Sequence, residues 1–470
     1  MRTPRDFDGL VIEPGDPGYD AARAVWNGMV DRRPAAIARC ASTPAVVAAL
    51  RYGRAAGLEI GVRGGGHSVL GLPVADGGLV IDLSLMGAVR VDPDRRRAWV
   101  QGGALLGALD RAAQPYGLAT TAGNVSHTGV GGLTLGGGVG WLARRCGLSC
   151  DNVVSFEVVT ADGEVLRASE REHPELYWGL RGGGGNFGVV TGFEFRLHPV
   201  GTRALVAEWY FAPEEAAAAL AGWRDLAVDA PRPATFVART GVPDGVPGLP
   251  ARWRGRPLAS AGYVWVGDPE EGRRLAPALR GLGPAVAERV VELSYLELQT
   301  GDDDREGHAR RRYWKGHYLD TLPDAAIRAF LDRGAGPGTD PATLPSGRLT
   351  TNAGAIADVG PGETAFTHRD AAFEFSTGVG WSDPAEDAAR MAVARRYAGS
   401  LEPYASGVYV NLMSDDGPDG IGRAYGAGVL TRLTALKDQL DPDNVFHLTQ
   451  NVRPSGMIGD PTPRVRALNT

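Results

Sequence analysis

The chain has 470 residues, more than one hydrophobic core usually serves, so two domains with room for a large cofactor are expected. Hydrophobic residues at 43%, charged residues at 22% and a net charge of −6 describe an ordinary globular protein and argue against a nucleic-acid surface. Cys40, Cys146 and Cys150 with the histidines fit neither a disulfide framework nor a zinc spacing, and no apolar run approaches a membrane span, so a cytoplasmic protein without a resident metal is expected.

From Pro34 the pattern predicts a strand in AAIARC, a helix from Thr43-Pro44 with Val46, Val47 and Leu50 on one face, a stop at Gly57 and a strand in EIGVR. This small α/β unit delivers Arg63-Gly64-Gly65-Gly66-His67-Ser68. Three glycines before a histidine let the backbone approach something flat or anionic, because no Cβ intervenes. A tight turn with a surface histidine is the simpler reading of that hexamer taken alone. Strands follow in GLVIDLS and RAWVQGG, then a helix from Leu105 to Tyr116. The next run, TAGNVSHTGVGGLTLGGGVGW, holds Gly123, Gly129, Gly131, Gly132, Gly136, Gly137, Gly138 and Gly140. Such bare amides form a concavity for pyrophosphate oxygens. No Rossmann fingerprint or Walker lysine accompanies them, so loops between strands are expected to cradle the phosphates. Together the two runs point to a flavin nucleotide.

A hairpin is predicted in NVVSFEVVTADGEVLRAS, turning at Ala161-Asp162-Gly163, and a strand in GVVTGFEFRLHP. Near Gly201 the glycine density falls, and a second domain begins with the helix EEAAAALAGW and strands such as AGYVWVG and FEFSTGVGW. Trp209, Tyr263, Trp265, Tyr295 and Tyr313 could wall a pocket there or belong to the core. Arg310, Arg311 and Arg312 read as a solvated helix face. The end of the chain reads as a return strand in GVYVNLMSDD, a helix ending LKDQLDPDNVF, and closing elements.

Trp26-Asn27, RGGGHS, AGNVSHTGVGGLTLGGGVGWLARR, DNVVSFEVVTADG, RGGGGNFGVVTGFEF, HRD, YVN and LDPDNVF with QNV occur in order over essentially the whole chain. In these motifs the sequence resembles the FAD-linked oxidases typified by berberine bridge enzyme, of the vanillyl-alcohol oxidase and p-cresol methylhydroxylase superfamily. The resemblance implies an α+β fold, with a two-part FAD-binding domain of the p-cresol methylhydroxylase type over 1–203 and 407–470. A substrate domain over 204–406, an antiparallel sheet covered by helices, would be inserted between them, with the pocket at the interface. FAD would be held by Arg63 to Ser68, by Gly123, Thr128, Gly129, Gly131, Gly132, Gly137, Gly140 and Trp141, by Val190, and by Tyr409, Asn411 and Asn451.

Carried over from the family, His67 would bond covalently to the flavin's benzenoid methyl group. Val125 stands where many members carry a second linking cysteine, so a single link is implied, and Cys146 and Cys150 remain packing residues. Tyr409 of Tyr409-Val410-Asn411 would be the base, its pKa lowered from near 10 by neighbours. Tyr318 is an alternative phenol. Leu412 and Ser376 stand where some relatives carry proton-transfer groups, and His368 with Arg369 reads as structural. The implied reaction is hydride transfer from an alcohol, sugar or secondary metabolite, with O2 as acceptor past the small Thr128. Oxidative cyclisation or desaturation of a specialised metabolite, or flavin binding without turnover, are the alternatives.

Overall fold

The structure is a computed structural model that describes residues 7–457 apart from 244, 337, 338, 341, 342 and 418; the ends of the expected FAD-binding segments lie outside the described residues. Three parallel strands, Ala36–Cys40, Leu79–Asp82 and Ile60–Arg63, form a sheet that Gly9–Ile12 extends antiparallel. Thr43–Ala55 is the crossover helix. Its Ala45, Val46, Ala49 and Leu50 are buried, and Gly57 ends it with a positive φ of 65°, as the sequence predicts. At the strand ends Asp82 is fully buried and accepts from Arg63 at 2.6 Å and Arg39 at 3.0 Å. This ion triad fixes where the chain leaves the sheet for Gly64. Arg63 therefore anchors the loop from behind, and it does not line the cleft described below.

A second sheet of five antiparallel strands runs in the order Val89–Asp92, Arg97–Gln101, Val189–Arg196, Val153–Val159, Val165–Ser169. The expected hairpin turns through Gly163 at φ 79°. Residues 203–381 build a seven-stranded antiparallel sheet ordered Ala287–Ser294, Arg203–Phe211, Leu258–Val266, Ala234–Gly241, Ser346–Thr351, Phe373–Trp381, Arg311–Leu319. Side chains alternate with a period of two. On one face Leu205, Ala207, Trp209, Phe211, Phe236, Tyr263, Trp265, Leu349 and Phe375 pack under the helices Pro213–Val228, Asp324–Asp332 and Asp387–Leu401. The opposite face carries Glu208, Arg239, Ser260, Arg348, Ser376 and Trp314, and it closes over the glycine-rich loops.

That alternation corrects the aromatic expectation. Trp209, Tyr263 and Trp265 lie in the helix-side core, Tyr295 and Tyr313 lie in two smaller clusters, and the cavity receives Trp141, Trp314 and Trp381 instead. Arg311 and Arg312 belong to a strand, not a helix. Arg312 is buried, pairs with Glu306 at 2.9 Å and stacks 3.8 Å over the Trp26 ring. The return strand at 407–413 is absent: one bridge joins Gly407 to Tyr318, and a 3₁₀ turn spans Val410–Leu412. Alternating apolar residues there signalled burial, which a turn against the glycine loops also satisfies. Among the described residues no helix is long and apolar enough to cross a membrane.

One joint between the glycine-rich part and the seven-stranded sheet is titratable. Asp110, on the helix Leu106–Ala113, is buried and accepts from Gln299 Nε2 at 3.1 Å, while Gln299 Oε1 is buried without a partner. Burial pushes the Asp110 carboxyl up to about 7, against the pull of Gln299 and Arg111. Because the native state holds this proton more tightly than the unfolded chain, the contribution to stability falls as pH rises from about 4 to 7. Asp110→Asn, whose amide can donate to Gln299 Oε1, is expected to raise the melting temperature at pH 8 and to lose that advantage below pH 5, as read by thermal unfolding.

Candidate active site

The end of the strand Ile60–Arg63 and the start of the short helix Val130–Leu135 bring the two glycine runs into backbone contact. A Cβ on Gly65 would stand 2.2 Å from the Gly129 nitrogen, and one on Gly129 would stand 2.3 Å from that of Gly65. Neither position tolerates a side chain. Gly66 adds a positive φ of 70°, which turns the chain so that His67 faces the cleft. The result is a cavity of about 380 Å³ lined by Gly64, Gly65, Gly66, His67 and Ser68, by Thr128, Gly129, Gly131 and Gly132, and by Val190, Tyr409 and Asn411.

His67 is held on every side. Trp26 stacks on it with ring centroids 4.9 Å apart, its Nε2 lies 2.7 Å from His127 Nδ1, and its Nδ1 lies 3.3 Å from Thr128 Oγ1. Trp26 is fixed in turn by a hydrogen bond from its Nε1 to the Glu306 carbonyl, and Asn27 Nδ2 donates to the carbonyls of Val69 and Arg312. The Trp26-Asn27 motif thus ties the histidine loop to the seven-stranded sheet. Burial, then the neighbouring His127, His308 and Arg312, push the His67 imidazole down to about 2. It is neutral near pH 7, with a lone pair available to form a bond.

His67, His127 and His308 place one ring nitrogen each within 4.8 Å of one another. A separation of 2.7 Å between His67 and His127 is that of a hydrogen bond. Two ligands of one tetrahedral ion, each about 2.0–2.1 Å from it, stand further apart, at roughly 3.4 Å.

Tyr409 sits where the chain turns into Val410–Leu412. Its phenolic oxygen accepts from the Gly138 amide at 3.0 Å and from Asn411 Nδ2 at 2.9 Å, and its own proton has no acceptor among the described residues. Burial and the charge of Glu374 push this phenol up, and the donors from Asn411, Gly138 and Val139 offset them only in part. The expected net lowering is not found. Glu374, absent from the sequence expectations, stands on the cavity-side register of Phe373–Trp381; burial raises its carboxyl to about 7, and its Oε2 has no partner. Tyr318 is fully buried, its hydroxyl is unpartnered and it lines neither cavity; its phenol is pushed well up by burial.

Several other expected flavin residues act from outside the cleft. Gly123 packs on Leu133 and Leu106, Gly137 on Phe366 and Gly140 on the Ala122 carbonyl, while Asn451 lies off the cleft wall. Trp141 lines the larger cavity. Gly184, Gly185 and Gly188 supply a further wall, for which the glycine run after Arg181 was a usable signal. Thr449 and Gln450 also line it, and their ordinary loop sequence gave no signal. Arg369, read as structural, pairs with Asp151 at 2.7 Å in the interior.

The cleft meets a second cavity of about 910 Å³ under the seven-stranded sheet, and Val125, Glu306 and Trp314 line both. Bare backbone walls for phosphates and an apolar bed from Val62, Leu83, Val190 and Phe446 fit a flavin dinucleotide, with neutral His67 inside the same cleft.

Residues 34–169 match the family described as FAD binding domain, and residues 408–453 match berberine and berberine like. The (R)-6-hydroxynicotine oxidase of Paenarthrobacter nicotinovorans is 32% identical, over 97% of this chain and 99% of its own. An uncharacterized FAD-linked oxidoreductase of Bacillus subtilis, YgaK, is 29% identical over 95% of this chain and 97% of its own. Among solved structures, 6-hydroxy-D-nicotine oxidase from Arthrobacter nicotinovorans has a TM-score of 0.83 at 30% identity, covering 96% of this chain and 99% of that one. Chitooligosaccharide oxidase has a TM-score of 0.83 at 22% identity, covering 95% and 97%, and so shares the fold. With these relatives spanning its length and both halves of its cleft in a recognised order, the chain belongs to the berberine bridge enzyme-like family of FAD-linked oxidoreductases.

Proposed function

We propose that the enzyme oxidises an alcohol, sugar or secondary metabolite with FAD tethered through His67 alone, and that O2 takes the electrons. Bound FAD supplies the hydride acceptor. The observation that carries the reading is Tyr409: an oxygen gripped by two N–H donors, with its proton unclaimed, on the wall of a cleft that opens into a substrate-sized cavity. Donors aimed at the oxygen stabilise it after its proton has left, so Tyr409 can hold or move a proton at the substrate's hydroxyl. His67, neutral and clamped by Trp26, His127 and Thr128, supports the covalent link. Val125 at the join of the two cavities offers no second attachment. Relatives named as oxidases of 6-hydroxynicotine and of chitooligosaccharide support small-molecule chemistry of this kind. The three unpaired thiols suit a reducing compartment, and the cytoplasm is the proposed setting.

The test is an anaerobic screen of alcohols, sugars and aromatic metabolites for bleaching of the protein-bound flavin, repeated in air with hydrogen peroxide measured. Bleaching with peroxide release is expected. Ligands that perturb the flavin spectrum without ever bleaching it would make the protein a binder instead, and bleaching without peroxide in air would make it a dehydrogenase.

A further inference from the structure

The charges on the cavity face of the seven-stranded sheet do not balance. Glu208 takes Arg239 at 2.9 Å, Arg289 at 3.3 Å and the Tyr210 hydroxyl at 3.1 Å, so its single charge is already shared by two arginines. Arg348 is the cross-strand partner of Arg239, and both point into the cavity. Its Nε donates to Thr350 Oγ1 at 3.0 Å and its guanidinium lies 5.0 Å from the Trp141 ring centroid. Among the described residues no carboxylate lies within ion-pair distance of it. Of the other acids lining the cavity, Asp302 pairs with Arg305 and Glu306 with Arg312, while Glu297 accepts from the Ser294 amide and hydroxyl.

Glu374 does not neutralise Arg348 either. The two form no ion pair: Glu374 Oε2 is without a partner, and burial outweighs the pull of the Arg348 charge, raising the carboxyl to about 7. Burial lowers Arg348 to about 10, with Arg239 beside it adding to the effect, so it stays charged near neutrality. A half-buried cation that faces a cavity with no carboxylate paired to it is an incomplete ion pair. The planar fork matches a carboxylate in two-point contact.

We propose that Arg348, with Arg239 at its side, is the anchor for a carboxylate on the substrate, so that the molecule oxidised here is an organic acid with an apolar or aromatic body. Trp141, Trp314 and Trp381 supply the apolar wall of the same cavity. The proposal rests on the FAD-oxidase reading and narrows its substrate class. Anchoring at the sheet face leaves the far end of the substrate free to reach the cleft through the join at Val125 and Trp314.

The experiment titrates the holoenzyme with benzoate, benzamide and benzyl alcohol, reading the perturbation of the flavin spectrum. Benzoate is expected to bind at least about tenfold more tightly than its neutral isosteres, the scale of one charge-assisted contact. Arg348→Met should erase that preference while leaving benzamide binding unchanged, and Arg348→Lys should restore part of it. Equal affinity for benzoate and benzamide, no response to benzoate, or an Arg348→Met variant that keeps the preference each overturns the proposal. The wild-type comparison decides even where a variant fails to fold. Failure of the oxidase reading shows separately, as purified protein without a flavin spectrum.

Discussion

Tyr409→Phe is expected to slow anaerobic bleaching of the bound flavin by about 10²- to 10⁴-fold, the usual loss when a positioned proton-transfer group is removed. The substitution keeps the ring against Phe366 and Tyr318 and deletes only the oxygen that Gly138 and Asn411 hold. Ligand affinity should change far less. The pH dependence follows from the direction of the Tyr409 shift: a raised phenol exposes its basic form only at alkaline pH, so the wild-type rate should climb with pH into that range. Part of the shift comes from the Glu374 charge. Glu374→Gln should therefore move the same limb to lower pH, and Tyr409→Phe should abolish it. A Tyr409→Phe rate within about threefold of wild type, against the roughly 10² expected, would show that the residue only packs.

His67→Ala is expected to abolish acid-stable flavin altogether. In wild type, acid precipitation should leave the yellow colour in the pellet, and the denatured polypeptide should carry one FAD in its mass. The variant should release its FAD into the supernatant, and what remains bound under native conditions should be reduced more slowly, since the tether withdraws electron density from the ring. An adduct found on Cys146 would contradict this. That thiol is already disfavoured as a nucleophile, because burial pushes it up to about 11 and it packs beside Tyr295 and Leu298.

Local chemistry explains what could be read in advance. The unit around Thr43–Ala55, the hairpin at Gly163 and the histidine hexamer each carry their determinants within about fifteen residues, as capping, turn and close-approach signals. Other features depend on which face a strand presents, and that is fixed only by register with distant partners. Glu374 and Arg348 gain their meaning when their strands pair and place both on the cavity side. Arg312 likewise looked solvated until Trp26, far away in sequence, covered it. Tyr409 was found through its Tyr-x-Asn setting, yet burial, which no motif records, turned its shift upward.

The backbone contact between Gly65 and Gly129 is only one seam of a cleft whose last wall is Phe446, Thr449 and Gln450. A chain emerging from the ribosome folds its early parts first. The cleft would therefore stay open on one side until Phe446, Thr449 and Gln450 have been made and have docked against it. Flavin would then meet a cleft whose glycine-rich walls are already folded, so its entry is expected to follow the docking of this last wall and not the synthesis of the glycine loops.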